Sequence, residues 1–153
     1  IRYWASRERV QGYKALKRVK EKHPEWNILI SDKPSFPKLD YLDLVMRSKI
    51  CLELPGIGWM TTRFFENLIL GKCIMSRRLP HRLPYELKEN VHYLSIGNDY
   101  ANLEECMEKY INDYSQVQEI ENNVKDIQGY LTHEYAFEKM TELINTMVLS
   151  AEL

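Results

Sequence analysis

Short, continuous apolar runs alternate with segments of helical periodicity along most of the chain. The runs WNILIS, KICLEL, KCIMS and VHYLSI occupy residues 26–31, 49–54, 72–76 and 91–96. Continuous hydrophobicity is typical of parallel strands that are covered on both faces. The pattern therefore predicts four strands, and residues 1–4 predict the end of a fifth.

Segments with apolar residues at every third or fourth position surround these runs. They predict helices at residues 7–22, 40–47, 61–70, 101–113, 115–130 and 133–149. Strands that alternate with helices fold as a parallel sheet with right-handed crossovers. The predicted fold class is α/β, a Rossmann-like parallel sheet of about four to five strands flanked by helices, with a helical C-terminal tail.

Length and composition indicate one globular domain. The 153 residues fit the ~100–200 residues of an ordinary domain, and no apolar run approaches the ~20 residues of a membrane helix. Because the sequence opens at Ile1 and not at Met, we expect an excised segment. Cys51, Cys73 and Cys106 lack metal-type spacing and predict free thiols, with a Cys51–Cys73 disulfide as the less favoured alternative. These features predict a cytoplasmic location and no metal site.

The two halves of the chain carry opposite charge. Residues 1–85 contain 17 Lys and Arg against 8 Asp and Glu, whereas residues 86–153 contain 4 against 14. A basic half suits an anionic partner. Five cations on the predicted first helix fit a solvated face better, and for them we favour solvent: Lys14, Lys17, Arg18, Lys20 and Lys22. We predict no nucleic-acid partner, while the basic loop at 77–82 suits peripheral contact with a membrane surface or an anionic acceptor.

Residues 49–76 combine a strand, a Gly-containing loop, a helix and a second strand. In open parallel sheets, ligands bind at the carboxyl ends of the strands. Gly56 and Gly58 would let the backbone approach a ligand closely, and Thr61 and Thr62 place hydroxyls and N–H groups at the start of the helix. The stretch therefore predicts a phosphate-binding site.

Arg63 and Glu66 lie three residues apart and share one face of the predicted helix. A guanidinium beside phosphate and a carboxylate that accepts two ribose hydroxyls would suit a nucleotide diphosphate. The same two residues would also suit an ion pair on a solvated helix, so both interpretations stay open. Trp59 is equally compatible with stacking on a base or sugar and with packing against the sheet.

Two other phosphate-binding motifs fit less well. A nicotinamide-binding turn needs glycines directly after the first strand and an acid near the end of the second. Asp32 could be that acid, but the first turn reads WASRER and contains no glycine. The P-loop pattern GxxxxGK[ST] occurs nowhere in the chain. A nicotinamide-dependent enzyme with a divergent turn remains a further alternative.

The run SKICLELPGIGWMTTRFFENLILGKCIM resembles the C-terminal, nucleotide-sugar-binding domain of GT-B fold glycosyltransferases. Such domains combine an apolar strand, a Gly-bearing loop, a helix with R-x-x-E and a second apolar strand. The likeness is nearest to spore-maturation-type (CgeB-like) and group 1-like glycosyltransferases, with features of exostosin-like and capsule-associated O-glucosyltransferase-like domains. The runs HYLSIGNDYANLEECMEKYINDY and THEYAFEKMTELI resemble later parts of these domains.

The resemblance implies that residues 1–153 are a single Rossmann-like domain, the donor-binding half of a two-domain enzyme. That enzyme would transfer a sugar from a nucleotide-diphosphate sugar, as donor substrate without a cofactor, to an unknown acceptor. The acceptor site and the general base would belong to the missing N-terminal domain, so no catalytic residue is assigned and the chain alone would be inactive. The alternative is a non-catalytic Rossmann-like module that binds a nucleotide or a protein.

The resemblance also assigns binding roles. Glu66 matches the carboxylate that holds the donor ribose, and Arg63 matches the basic position beside it. The diphosphate or sugar would lie against Gly56, Ile57, Gly58, Thr61 and Thr62, with further contacts after the first strand from Ser6, Arg7 and Arg9. Many retaining members carry two glutamates separated by seven residues, but Gly58 stands eight positions before Glu66. Retaining chemistry is therefore not implied.

Overall fold

Three short parallel strands form the sheet around which the described part of the chain packs. The computed structural model describes residues 7–31, 37–56, 61–79 and 85–151. The strands are β1 (Cys51–Leu52), β2 (Ile74–Arg77) and β3 (Leu94–Ile96), in the order β1-β2-β3. Cys51 is paired with Ile74, and Met75 is paired with Leu94. The α/β class with a parallel sheet and flanking helices is confirmed.

Six α-helices accompany the sheet in the described ranges. They are α1 (Arg7–Lys22), α2 (Lys38–Arg47), α3 (Thr62–Ile69), α4 (Leu103–Asn112), α5 (Ser115–Ile127) and α6 (His133–Ala151), with a 3-10 helix at Gln128–Leu131. The predicted helical C-terminal tail is confirmed, with α5 passing into the 3-10 helix at the turn that contains Gly129. Within the described ranges, no helix is both long and apolar enough to span a bilayer.

The core lies on both sides of β2, whose four residues are all buried. Phe64 and Leu68 of α3 cover the sheet and are completely buried, as are Val117 and Val124 of α5. Fully burying one such side chain contributes roughly 1.5–3 kcal/mol. The continuous apolar run of β2 is explained by this two-sided cover.

A glycine in the left-handed backbone conformation follows α3 and directs the chain towards β2. Gly71 has φ of 66°, and its N–H donates to the Leu68 carbonyl oxygen at 2.9 Å. Gln128 of the 3-10 helix donates its side-chain N–H to the Ile69 carbonyl oxygen at 2.8 Å. These contacts fix the orientation of α3, and thus the position of its first turn beside the sheet.

Residues 26–31 do not form the strand that their hydrophobicity predicts. Ile28 and Ile30 are half-buried, but Leu29 between them is exposed, and no described strand pairs with this segment. The apolar run therefore covers the core with one side only. The described sheet has three strands, and the predicted strand at 1–4 lies outside the described residues, as do residues 80–82 of the basic loop at 77–82.

Candidate functional site

Polar side chains converge where the parallel strands end. Glu53 follows β1, Arg77 is the last residue of β2, and Tyr100 lies in the turn after β3. Helix α1 contributes Arg9, and the start of α3 contributes two further groups. We call this set the sheet-end cluster: Arg9, Glu53, Thr61, Arg63, Arg77 and Tyr100. Its position is the one at which open α/β sheets bind ligands.

Glu53 is the buried carboxylate of the cluster, with only 4% of its surface exposed. The Thr61 hydroxyl donates to its Oε1 at 2.6 Å. Burial raises the pKa of Glu53, whereas the Thr61 hydrogen bond and the charges of Arg63 and Arg9 lower it. Because burial dominates, the carboxyl is held less firmly in its ionised form than an exposed glutamate would be.

Two arginines face this single carboxylate. The Arg9 Nη1 lies beside Gly56, 3.8 Å from the point that a Cβ on that glycine would occupy. Burial lowers the pKa of Arg9, the positive charge of Arg63 lowers it further, and Glu53 raises it. Within the described part of the chain, two neighbouring guanidinium groups and one carboxylate give a net positive charge after β1. This arrangement suits an anionic ligand.

Tyr100, the aromatic member of the cluster, has a strained backbone conformation. Its φ is 61°, in the left-handed region that non-glycine residues rarely adopt, and only 2% of its surface is exposed. Its buried hydroxyl has no hydrogen-bond partner among the described residues. Arg77 places its Cζ 5.6 Å from the Tyr100 ring centroid, and its Nη1 donates to the Asn98 carbonyl oxygen at 3.1 Å.

The Tyr100 hydroxyl lies among charges from three elements. Burial raises its pKa, the positive charges of Arg77 and Arg9 lower it, and Glu8 and Glu53 raise it. The phenol is therefore neutral at physiological pH and can donate a hydrogen bond. Strained backbone and unpaired buried polar atoms are both concentrated at functional sites.

Glu66 lies on a second wall, where α3 faces α2. Its carboxylate forms an ion pair with Lys38, whose Nζ is also 5.4 Å from the Tyr41 ring centroid. Burial raises the pKa of Tyr41 to about 12, with Glu66 raising it and Arg63 lowering it. Since Arg63 and Glu66 both act on Tyr41, they lie on the same side of α3. A ligand at the sheet-end cluster could reach Glu66 along this side.

The structure places the other predicted site residues as follows. Gly56 is half-buried in the turn after β1, and Thr61 stands at the N-cap of α3, where its hydroxyl binds Glu53 and makes no bond to the helix. Arg7, Thr62 and Arg63 are exposed at the starts of their helices. Ser6, Ile57, Gly58 and Trp59 lie outside the described residues.

Sequence reasoning missed two members of the cluster, Glu53 and Tyr100. It placed Arg77 in the basic loop at 77–82, which is wrong, because Arg77 is the buried last residue of β2. Glu53 and Arg77 each interrupt or end an apolar strand run, in LEL and CIMSR, and that position was a usable signal. The left-handed backbone conformation of Tyr100 cannot be recognised from the sequence in this way.

The described residues contain no candidate metal site and no activated cysteine thiol. No group of three His, Cys, Asp or Glu side chains comes together there. The predicted free thiols are confirmed, because all three cysteines are unpaired. Burial raises the pKa of Cys51 to about 11 and that of Cys73 to about 12. Both thiols are therefore protonated at neutral pH and are poor nucleophiles.

The outer face of α1 borders a shallow surface depression of about 460 Å³. Its lining carries both signs of charge and comprises Gln11, Lys14, Lys17, Arg18, Glu21 and Asp99. Lys14, Lys17 and Arg18 are the helix-face cations that the sequence assigned to solvent. Mixed charge on an open face is typical of solvated surface, and the converging arginines of the sheet-end cluster suit a ligand better.

No protein-family model, curated protein or solved structure matches this chain.

Proposed function

We propose that this chain is the donor-binding domain of a glycosyltransferase and binds a nucleotide-diphosphate sugar at the sheet-end cluster. The observation that carries the proposal is the approach of Arg9 and Arg63, from two different helices, to one buried carboxylate beside the Gly56 turn. A diphosphate carries the negative charge that guanidinium groups bind. The resemblance of residues 48–76 to GT-B donor domains supports the same ligand.

Each described residue has a role in the proposed site. Arg9 and Arg63 bind diphosphate oxygens, because guanidinium groups match phosphate geometry with paired N–H donors. The first turn of α3 adds backbone N–H groups and the positive end of the helix dipole. Glu66, which is paired with Lys38 through Oε1, accepts the ribose hydroxyls. The turn at 57–60 lies outside the described residues and keeps its predicted place against the sugar.

The proposed chemistry is stabilisation of a leaving group. As the sugar–phosphate bond breaks, negative charge grows on the departing nucleotide diphosphate, and fixed arginines at that point stabilise it. The acceptor and the general base are assigned to an N-terminal domain of the whole enzyme. In this proposal the sheet extends to four or five strands, since β1 pairs on one side only within the described residues.

Calorimetric titration of the chain with UDP, GDP and NAD, beside inorganic pyrophosphate, tests the proposal. We expect the nucleoside diphosphates to bind, NAD not to bind, and the affinity to fall as NaCl is raised. Arg9→Ala and Arg63→Ala should each weaken binding about tenfold or more, because one charge-assisted hydrogen bond contributes about 1.5–3 kcal/mol. Matched controls are Arg18→Ala on the outer face of α1 and Arg47→Ala on α2, which should bind like the parent.

Glu66→Ala separates the ribose role from the phosphate role. We expect this variant to lose affinity for UDP or GDP and to bind pyrophosphate like the parent chain. Equal losses for nucleotide and pyrophosphate would contradict the ribose assignment. If no nucleoside diphosphate binds, or if both arginine variants bind like the parent, the proposed function is wrong.

A protein-binding module is the second candidate, and one surface favours it. Phe137 and Met140 lie three residues apart on α6, with 69% and 56% of their surfaces exposed. Glu134 and Glu138 are exposed on the same helix. An apolar stripe with acidic neighbours suits a basic, apolar partner. Nucleotide binding that depends on Arg9 and Arg63 would favour the donor domain over this alternative.

A further inference from the structure

Glu53 contacts groups of the sheet-end cluster that come from two different helices. Its carboxylate accepts the Thr61 hydroxyl bond at 2.6 Å and lies close enough to Arg9 and Arg63 for their charges to act on it. These three partners belong to α1 and to the start of α3. The carboxylate therefore supplies, inside the protein, the negative charge that a ligand would otherwise bring.

A diphosphate at the same arginines competes with Glu53 for them. Charges of the same sign repel each other strongly where water is excluded. A ligand with two negative charges would thus strongly disfavour an ionised carboxylate beneath it. Glu53 is almost completely buried, so water cannot screen this repulsion.

We propose that Glu53 is a positioning residue that takes up one proton when a diphosphate binds, and so releases Arg9 and Arg63 to the ligand. The inference rests on the proposed function and specifies how that same site changes between its empty and occupied states. As a neutral acid, Glu53 keeps a carbonyl oxygen for the Thr61 hydroxyl and gains an O–H donor. The position of Thr61 at the N-cap of α3 is thereby retained in both states.

The surroundings of Glu53 favour this exchange. Among the described residues, the charged groups that face it are Arg9 from α1 and Arg63 from α3. The titratable groups near it are Tyr100 after β3 and Cys51 on β1, the strand that Glu53 follows. Burial raises the pKa of Glu53 before any ligand is present. Raised pKa values keep Tyr100 and Cys51 neutral near pH 7, so Glu53 is the acid of the set that a bound anion would protonate.

Proton uptake by Glu53 determines how the affinity for the diphosphate depends on pH. A carboxyl whose pKa is higher in the complex than in the free chain binds a proton during association. Affinity must then fall as pH rises through the interval between the two pKa values. Proton uptake should reach a maximum within that interval and decline on either side of it.

Calorimetry in buffers of different ionisation enthalpy measures the uptake. The probes are UDP-glucose, GDP-glucose and dTDP-glucose, whose diphosphate diesters do not titrate in the range used. UDP itself is unsuitable because a terminal phosphate titrates near pH 6. Titrations in MES, PIPES, imidazole and Tris between pH 5.5 and 8 should give a binding enthalpy that varies with the buffer. The slope should correspond to uptake of a fraction of a proton, up to one.

Glu53→Gln mimics the protonated carboxyl and should abolish the buffer dependence. At pH 8 this variant should bind the nucleotide sugar several-fold more tightly than the parent chain, and at pH 5.5 the two should bind alike. A merely structural role for Glu53 would instead weaken binding at every pH. Glu21→Gln, on the exposed side of α1, is the matched control and should keep the proton uptake of the parent.

The outcomes separate the inference from the function on which it rests. If a nucleotide sugar binds the parent chain with an enthalpy that is independent of buffer at every pH, the inference is wrong and the proposed function stands. If none of the three probes binds the parent chain, both fail. The buffer dependence of the binding enthalpy is measured on the parent chain. The inference can therefore be overturned even if Glu53→Gln does not fold.

Discussion

Gly12 allows α1 to lie directly against the sheet-end cluster. A Cβ at this position would be 2.4 Å from Leu54 Cδ2 and 2.8 Å from Tyr100 Cζ. The Leu54 methyl group can move, but the Tyr100 ring is buried against Arg77 and has little room. The absence of a side chain at Gly12 therefore determines how closely Arg9, one turn earlier in α1, approaches Glu53.

Gly12→Ala should lower the stability of the chain. Alanine in a helix gains about 0.5–1 kcal/mol over glycine, but overpacking a filled site costs about 1–3 kcal/mol. We expect a net loss of about 1 kcal/mol in the free energy of unfolding, measured by urea denaturation. Gly129→Ala is the control, since no atom lies within 4 Å of its Cβ position and its stability should hardly change. Equal stability of the two variants would contradict the tight contact at Gly12.

At the residue level, the sequence identified several residues of the candidate site but did not predict which contacts they make. The chain pattern identified Arg63, Thr61 and Gly56 because they follow a strand and open a helix. It assigned the Thr61 hydroxyl to a ligand, whereas the structure shows this hydroxyl bound to Glu53. That contact joins residues eight apart in the chain, and no periodicity encodes it.

The helix α3 couples the core to the proposed binding residues. One face carries the completely buried Phe64 and Leu68, while Arg63 and Ile69 are exposed. The position of Arg63 and Glu66 therefore depends on how the buried face packs. A change in that packing should alter both stability and the site.

Leu68→Ala should destabilise the chain far more than Ile69→Ala. The first removes a completely buried side chain beside β2, and such truncations cost about 2–5 kcal/mol. Ile69 is 54% exposed, so its truncation should change the free energy of unfolding by about 0.5 kcal/mol or less. Chemical denaturation of both variants measures the difference, and similar losses would show that the two faces of α3 are assigned incorrectly.

Helices could be predicted from the sequence more fully than strands. The periodicity gave α1 its observed bounds of Arg7–Lys22, because the amphipathic pattern and the following His-Pro are local features. The run at 26–31 has the composition of a strand but is not one in the structure. A strand also requires a neighbour to complete its hydrogen bonds, and a single apolar run does not show whether one is present.

Across the whole molecule, ion pairs join the basic first half of the chain to its acidic second half. Lys22 lies 2.5 Å from Glu104, Lys72 lies 2.8 Å from Glu121, and Arg78 lies 2.9 Å from Glu89. Folding therefore brings oppositely charged side chains of the two halves into contact. The net charge of −1 conceals this internal complementarity.

His23 makes one of these junctions dependent on pH. It stacks on Trp26 at 3.9 Å, and its Nε2 lies 3.0 Å from Glu104 Oε1 in the first turn of α4. The hydrogen bond to Glu104 raises the pKa of His23 above its ordinary 6.5, and Glu25 adds to this effect. The same bond lowers the pKa of Glu104 below 4.5, with Lys22 contributing. His23 and Glu104 are therefore both charged in the folded chain between pH 4.5 and pH 6.5.

The stability advantage of the parent chain over His23→Gln should therefore be largest near pH 5.5. It should shrink as pH rises through the raised pKa of His23, and also as pH falls through the lowered pKa of Glu104. Urea denaturation at pH 3.5, 5.5 and 8.5 measures the advantage, and comparing pH values removes the constant effect of losing the Trp26 stack. His133→Gln, at an exposed position on α6, is the control. An advantage for the parent that does not vary with pH would contradict the charged link.

The proposed binding groups are contributed by segments that are remote along the chain, with Arg9 in α1 and Arg63 at the start of α3. An unfolded chain holds no such arrangement, so a bound anion is available to the native state alone. A ligand present at a hundred times its dissociation constant stabilises a native state by about 2.7 kcal/mol. Melting curves recorded against a library of nucleotides could therefore reveal the donor base and sugar without an acceptor or an activity assay. The thermal stability of the chain would then report directly which ligand binds.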